Sequence, residues 1–366
     1  MTDSVRHFAK LKVSLLMNDE TEDSLDLLKK RTAQTKDSAR INAVAERHNR
    51  GGRTARENLA DLTEGSSLLE YGQLAVAAQR TRRQGASLYE ETAADAVITG
   101  IGSVNKSLFS VGVSRTALII NDYTVLAGTQ GYFHHRKIDR LLDLASRDRL
   151  PVVMFTEGGG GRPGDTDVLV SIAGLNVPTF HRWAALTGVV PRIAVNHGYC
   201  FAGNAALFGA ADFRIATESS CIGMAGPAMI EGGGLGKWKP EDIGPISVHR
   251  KNGVVDVVVS DEAEAVAVTK KVLAFVQGML PSWEENDQAQ LTSLMPTNRR
   301  FTFDVRKILH QLFDVDSFIE TRPDTGRSIV TGLARIAGMP IAILSSDCRY
   351  LGGAIDGKSA TKVIAL

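Results

Sequence analysis

Between residues 20 and 62 the apolar positions are sparse and helically spaced. Leu25, Leu27 and Leu28, then Ile41, Ala45, Leu59 and Leu62, stand in a charge-rich background broken by Gly51-Gly52. The pattern predicts a helical arm over residues 1–50 that lies outside the core. From residue 96 the pattern shifts to short apolar runs. Ala96–Thr99, Ser107–Val113 and Ala117–Ile120 read as strands, and a helix follows over about Arg136–Arg147 with Ile138, Leu141, Leu142 and Ala145 on one face. An apolar run over 151–157 ends in Gly158-Gly-Gly-Gly161. A helical stretch including Val168–Leu186 leads to a second such strand over 192–197, followed by Tyr199–Gly209. Asp212–Ala216, Cys221–Met224 and Val254–Val259 read as further strands. Asp261–Gln277 has Ala265, Val268, Val272 and Val276 at helical spacing, with Asp261 as cap and Gly278 as stop. Strands alternating with helices, with Gly at the βα junctions, predict an α/β fold.

Beyond a linker at Leu280–Asp287 the chain echoes itself. Leu62–Glu70 is matched by Phe313–Glu320, and Val97-Ile-Thr-Gly-Ile101 by Ile329-Val-Thr-Gly-Leu333, in the same order. Two echoes in register predict a duplicated unit. The expected division is the arm at 1–50, a complete half at 51–280, and the start of a second half at 290–366, ending before either glycine loop could recur.

Composition narrows the ligand classes. Lys+Arg number 42 and Asp+Glu 41, so no global field draws the chain to nucleic acid or an anionic membrane, and any anionic ligand must be held locally. Cys200, Cys221 and Cys348 share no CxxC spacing, which fits a reducing compartment. No run approaches the ~20 apolar residues of a membrane span, and Met1–His7 is not followed by the core of a signal peptide. A cytoplasmic protein is expected. His134, His135 and His197 have no carboxylate or Cys at ligand spacing, so no metal is expected in this chain.

The candidate chemistry lies in the two glycine loops. Gly lets bare backbone N–H groups approach a ligand, and a helix opening after such a turn aims unpaired N–H groups at the same spot. Two such loops side by side can hold one developing oxyanion, which points to chemistry through an enolate-like state. The plainer alternative is that they are tight βα turns. Cys200 adjoins the second loop, but Tyr199 and Phe201 supply no base, so it reads as a packing residue. His249 reads as a hydrogen-bonded structural histidine. Glu231–Gly236 lacks the lysine of a phosphate-binding loop and reads as a loop or lid.

Over residues 40–366 the chain resembles the carboxyltransferase components of biotin-dependent acyl-CoA carboxylases. The resemblance rests on Gly51-Gly-Arg-Thr-Ala-Arg-Glu-Asn-Leu59, Gly159-Gly-Gly-Arg162, His197-Gly-Tyr-Cys-Phe-Ala-Gly-Asn-Ala205, Ala225-Gly-Pro227, Ile243-Gly-Pro245 and His249. It implies a crotonase/ClpP-like ββα superhelix, with one complete half and the start of a second. It implies transfer of a carboxyl group from carboxybiotin, carried by a partner protein or domain, to the α-carbon of an acyl-CoA, with the biotin nitrogen able to take the proton. The implied partners are biotin carboxyl carrier and biotin carboxylase components in a homo- or hetero-oligomer. Gly160, Gly161, Ala202 and Gly203 would then supply the oxyanion N–H groups. Arg162 would orient its loop or meet a CoA phosphate, and Arg136 and Lys137 would mark a second phosphate site unless they merely open an exposed helix. Gly161, Ala202, Asn204 and Ile243–Ile246 depart from the usual pattern, and Ala202 puts a Cβ close to the pocket. A decarboxylase running the same loops in reverse, or a non-catalytic or truncated assembly subunit, are the alternatives.

Overall fold

The computed structural model describes residues 24–65, 68–168, 177–298 and 300–365. Two helices, α1 (Ser24–Gln34) and α2 (Ile41–Asn49), form the described part of the arm and bury none of their residues fully. A third, α3 (Ala55–Leu62), starts on a complete capping box. The Thr54 side chain accepts from the Glu57 N–H while Glu57 reaches back to the Thr54 N–H.

The main sheet has seven strands: β1 (Leu69–Glu70), β2 (Val97–Ser103), β3 (Arg115–Asn121), β4 (Val152–Phe155), β5 (Arg192–Asn196), β7 (Phe213–Thr217) and β9 (Val257–Val259). The first three pair antiparallel and the rest parallel. Two short strands, β6 (Tyr199–Phe201) and β8 (Cys221–Gly223), pair parallel beside it. Both faces of the parallel part are covered, so its strands read as near-continuous apolar runs. Ala117, Ile119, Val152 and Met154 pack on α4 (Tyr132–Asp148) through Ile138, Leu141, Leu142 and Ala145. Leu118, Ile120, Val153 and Phe155 pack on the other side against Leu59 and Leu62 of α3 and Val272 and Leu273 of α7 (Glu262–Gln277). Helices α5 (Thr179–Ala185) and α6 (Gly203–Gly209) pack on the α4 side of the sheet through Trp183, Ala205, Leu207 and Phe208.

A second sheet, β10 (Ile319–Thr321), β11 (Ile329–Ile336) and β12 (Met339–Ser346), is antiparallel throughout. Helices α8 (Val305–Leu312) and α9 (Gly357–Ile364) accompany it. It docks on α7, where the Arg335 guanidinium donates to the Ala274 and Gly278 carbonyls at 2.7 and 2.8 Å.

Two expectations change. The run Ser107–Val113 is not a strand: it bridges the antiparallel neighbours β2 and β3, so it must turn, and it ends in a short helix at Val111–Ser114 with Leu108, Val111 and Val113 exposed. The helix within Val168–Leu186 is described only from Thr179, and residues 169–176 of that stretch lie outside the described residues, as do residues 1–23 of the arm.

Candidate active site

The two loops meet where β4 and β5 end. Gly158 donates to the Tyr199 carbonyl at 2.7 Å and accepts from the Phe201 N–H at 3.0 Å, so the start of one loop is laced to the start of the other. Asn204, fully buried in α6, completes the join. Its Oδ1 accepts from the Gly160 N–H at 3.0 Å and its Nδ2 donates to the Thr156 carbonyl at 3.1 Å. Gly160 has φ 87 and must be Gly here, because a Cβ on it would stand 2.7 Å from the Ala202 Cβ. Ala202 itself has φ 51 with ψ −118, a positive-φ conformation outside the left-handed helical well that costs an L-residue roughly 1–3 kcal/mol. The Cβ that the sequence reading flagged there sits against the first loop.

The four expected donors divide into two pairs. The N–H groups of Gly160 and Ala202 are spent inside the fold, on Asn204 Oδ1 and on the Gly223 carbonyl at 2.9 Å. Those of Gly161 and Gly203 have no acceptor among the described residues. Gly161 is exposed and Gly203 half-buried, so both are reachable by a ligand arriving from solvent. Over Gly203 lies the Gln130 carboxamide, close enough that a Cβ on Gly203 would collide with its Oε1.

The expected cations separate. Arg162 is buried and ion-paired with Asp95 and with Asp165, the latter at 2.7 Å, and it donates to the Thr129 carbonyl at 3.2 Å. Its guanidinium braces the first loop, which leaves it no freedom to reach a phosphate. Lys137 points into the core, where its Nζ donates to the Ala94 and Val97 carbonyls, and burial pulls it down to about 8. Arg136, the residue before it in α4, is exposed and lies over the Tyr132 ring at 5.2 Å. Two arginines that the sequence reading passed over, Arg82 and Arg83, line a pocket of about 540 Å³ with Thr129, Arg162, Pro163 and Gly164. Arg83 pairs with Glu91, whereas Arg82 has no carboxylate partner among the described residues. Their signal was the basic run Arg80-Thr-Arg82-Arg83 in the connection between β1 and β2.

Cys200 is fully buried, and burial pushes its thiol up to about 12, so no thiolate is available at neutral pH. His249 Nε2 lies 2.8 Å from the Ile222 carbonyl. Glu231-Gly232 closes a short helix begun at Pro227, and Gly233–Gly236 run exposed beyond it. Among the described residues no cluster of three or more His, Cys, Asp or Glu could hold a metal, and no helix is long and apolar enough to cross a membrane.

Behind the loops sits a cluster that the sequence reading did not see. Arg47, from α2, forks onto Glu157 at 3.0 and 2.9 Å and reaches His197 Nδ1 at 3.0 Å and Glu262 at 3.1 Å. Asn58 and the Arg53 N–H hold the same Glu262 carboxylate at 2.7 and 3.0 Å.

The family model described as "Carboxyl transferase domain" matches residues 46–365, so the chain belongs to that family. It superposes on a solved single-chain, multi-domain long-chain acyl-CoA carboxylase with TM-score 0.90 at 49% identity, covering 94% of this chain and 34% of that one. It is 26% identical to a propionyl-CoA carboxylase beta chain of Roseobacter denitrificans, over 93% of this chain and 66% of the relative. It is also 26% identical to the methylmalonyl-CoA decarboxylase subunit alpha of Veillonella parvula, over 93% of this chain and 67% of the relative. The chain thus spans between about a third and two thirds of the length of these three proteins.

Proposed function

We propose that this member of the carboxyl transferase domain family is the carboxyltransferase part of a biotin-dependent acyl-CoA carboxylase. The observation that carries the reading is the pair of unspent N–H groups, Gly161 and Gly203, brought together on two interlaced loops. Loss of an α-proton from an acyl-CoA places negative charge on the thioester oxygen. Preorganised donors held in rigid backbone stabilise that charge without reorganising, and each is worth about 2.7–4 kcal/mol. The enolate carbon would then take the carboxyl carbon as the bond between that carbon and the biotin nitrogen breaks, with the freed nitrogen accepting the α-proton. No side-chain nucleophile is needed, which agrees with the inert thiol of Cys200. Carboxybiotin, delivered by a carrier component, supplies the carboxyl group, and the solvent-facing side of Gly161 suits a substrate that arrives from outside. The Arg82–Arg83 pocket beside the first loop is where we place the CoA phosphates, with the exposed Arg136 a second contact. An acyl-CoA decarboxylase, the reading favoured by likeness to the Veillonella subunit, would use the same donors on the same enolate approached from its carboxylated side.

The test is carboxyl transfer from methylmalonyl-CoA to free biocytin, together with calorimetric binding of propionyl-CoA. Gly203→Pro removes one donor. It is made in a Gln130→Ala background, because Gln130 leaves no room for a side chain at Gly203. Relative to Gln130→Ala alone, affinity for an enolate-mimicking CoA analogue should fall ~100-fold. A folded wild-type protein that binds no acyl-CoA at millimolar concentration would overturn the assignment.

A further inference from the structure

We propose that Arg47 is a positioning residue: its guanidinium locks the roots of both glycine loops to the start of α7, and so sets the spacing between the Gly161 and Gly203 N–H groups. The inference rests on the reading of those two groups as the thioester donors.

Glu157 is the last residue before Gly158, and His197 the last before Gly198. Arg47 bonds both side chains, Glu157 through two nitrogens at 3.0 and 2.9 Å and His197 Nδ1 at 3.0 Å. The Glu157 carboxylate lies so close over Gly198 that a Cβ there would collide with it. One loop's root is thus packed under the side chain of the other's. The same Arg47 nitrogen that meets His197 also meets Glu262, the first residue of α7, whose second oxygen is held by Asn58 at 2.7 Å.

The guanidinium is itself fixed. Its Nε donates to the Arg53 carbonyl at 3.0 Å, and Gly52 must lack a Cβ because one would stand 2.5 Å from that nitrogen. One cation therefore faces two carboxylates whose side chains are 4% and 9% exposed. Removing it strands both charges in a poorly solvated place. Lys could not replace it, since a single ammonium lacks the planar fork that reaches Glu157 twice while touching His197 and Glu262. His197 Nε2 is buried without a partner among the described residues. The ring is thus held on its Nδ1 side, where Arg47 lies at 3.0 Å with Glu157 and Glu262 at 3.2 and 3.5 Å.

A bulk structural role predicts that losing Arg47 loosens the whole first half. A positioning role predicts that the loops loosen and the sheet does not. The experiment is hydrogen exchange by mass spectrometry on the full chain, with calorimetric titration of propionyl-CoA, for Arg47→Ala and Arg47→Leu. In both variants, peptides spanning 158–162 and 197–203 should exchange about tenfold faster, while a peptide spanning 97–121 is unchanged. Propionyl-CoA affinity should fall about tenfold. Millimolar guanidinium should restore loop protection and affinity in Arg47→Ala, whose hole it fits, but not in Arg47→Leu, whose side chain fills that hole. If Arg47→Ala does not fold, Arg47→Met with Glu157→Gln removes one stranded charge and is read by the same exchange. Unchanged loop exchange, or acceleration shared equally by 97–121, overturns the proposal. If the wild type itself binds no acyl-CoA, the reading of the loops fails while the exchange still decides on Arg47.

Discussion

The unit α3–β1–β2–β3–α4 and the unit α8–β10–β11–β12–α9 are built on one plan. Glu70 stands opposite Gly100 in the first, and Glu320 opposite Gly332 in the second. Each glutamate is gripped by an arginine from the second position of the preceding helix, Arg56 at 3.1 and 3.0 Å and Arg306 at 2.6 and 2.5 Å. Thr99 and Thr331 each donate to a carbonyl beside the edge strand, those of Tyr71 and Thr321. In both, a lysine from the last helix is buried on a strand carbonyl, Lys137 on Val97 (and on Ala94 in the turn before β2) and Lys362 on Ile329, and burial pulls each down to about 8. The units differ beyond the third strand. All of β3 after Arg115 is buried, and its residues Ala117–Ile120 pair with β4, which opens into the first glycine loop. Strand β12 has no partner on its far side among the described residues, and its residues are exposed or half-buried apart from Ile343. The repeated plan is therefore a scaffold. The unspent donors belong to strands added to it.

The largest test of that likeness is the arginine pair. Arg306 also holds Asp347 at 2.6 Å, so Arg306→Met strips Glu320 of its arginine and leaves the buried Asp347 to Arg349 alone, where Arg56→Met touches one carboxylate, Glu70. Urea unfolding should show a loss of about 3–5 kcal/mol for Arg306→Met and a smaller one for Arg56→Met. An equal or reversed order would break the comparison.

The lysines give a test through pH. Each has a folded value near 8 against an ordinary 10.5, so between these pH values the unfolded chain binds more protons and stability rises with pH. The cost of the buried charge is full below pH 8 and vanishes above 10.5. Against a Lys137→Met reference, the wild type should gain up to about 3 kcal/mol across that window, and against Lys362→Met the gain should carry the same sign. A flat difference in either case would show that the lysine is not buried as described.

The smallest effect concerns the threonines. Thr99→Val should cost about 1 kcal/mol, and Thr331→Val at least as much, because Thr331 also meets Thr321 Oγ1 at 2.8 Å. Thermal unfolding would measure both, and a stabilising change at Thr331 would set the two units apart.

Much of this is legible in the sequence. The apolar runs at 117–120, 151–157 and 192–197 became β3, β4 and β5, because strands covered on both faces cannot afford polar positions. The echo of Val97–Ile101 in Ile329–Leu333 became a shared strand register, because the Gly in each is needed where a Cβ would meet the facing backbone oxygen, Leu69 or Ile319. The two loops were visible as glycine after strand. Which of their N–H groups remain free was not visible, since that depends on acceptors brought from elsewhere, Asn204 for Gly160 and the Gly223 carbonyl for Ala202.

Local order, then, was set by the sequence itself: periodicity fixed the strands, glycine fixed the turns, and the duplicated run fixed the plan of both units. The tertiary structure alone decided how the charges pair. Arg162 and Lys137 read along the chain as ligand-seeking cations, yet burial beside Asp95 and Asp165 and beside strand carbonyls turned them into internal braces. Arg47, 110 residues from Glu157 and 215 from Glu262, gave no local sign at all. A side chain's propensity acts over the few residues around it, whereas a buried ion pair exists only once folding has removed the water and brought distant partners within about 3 Å.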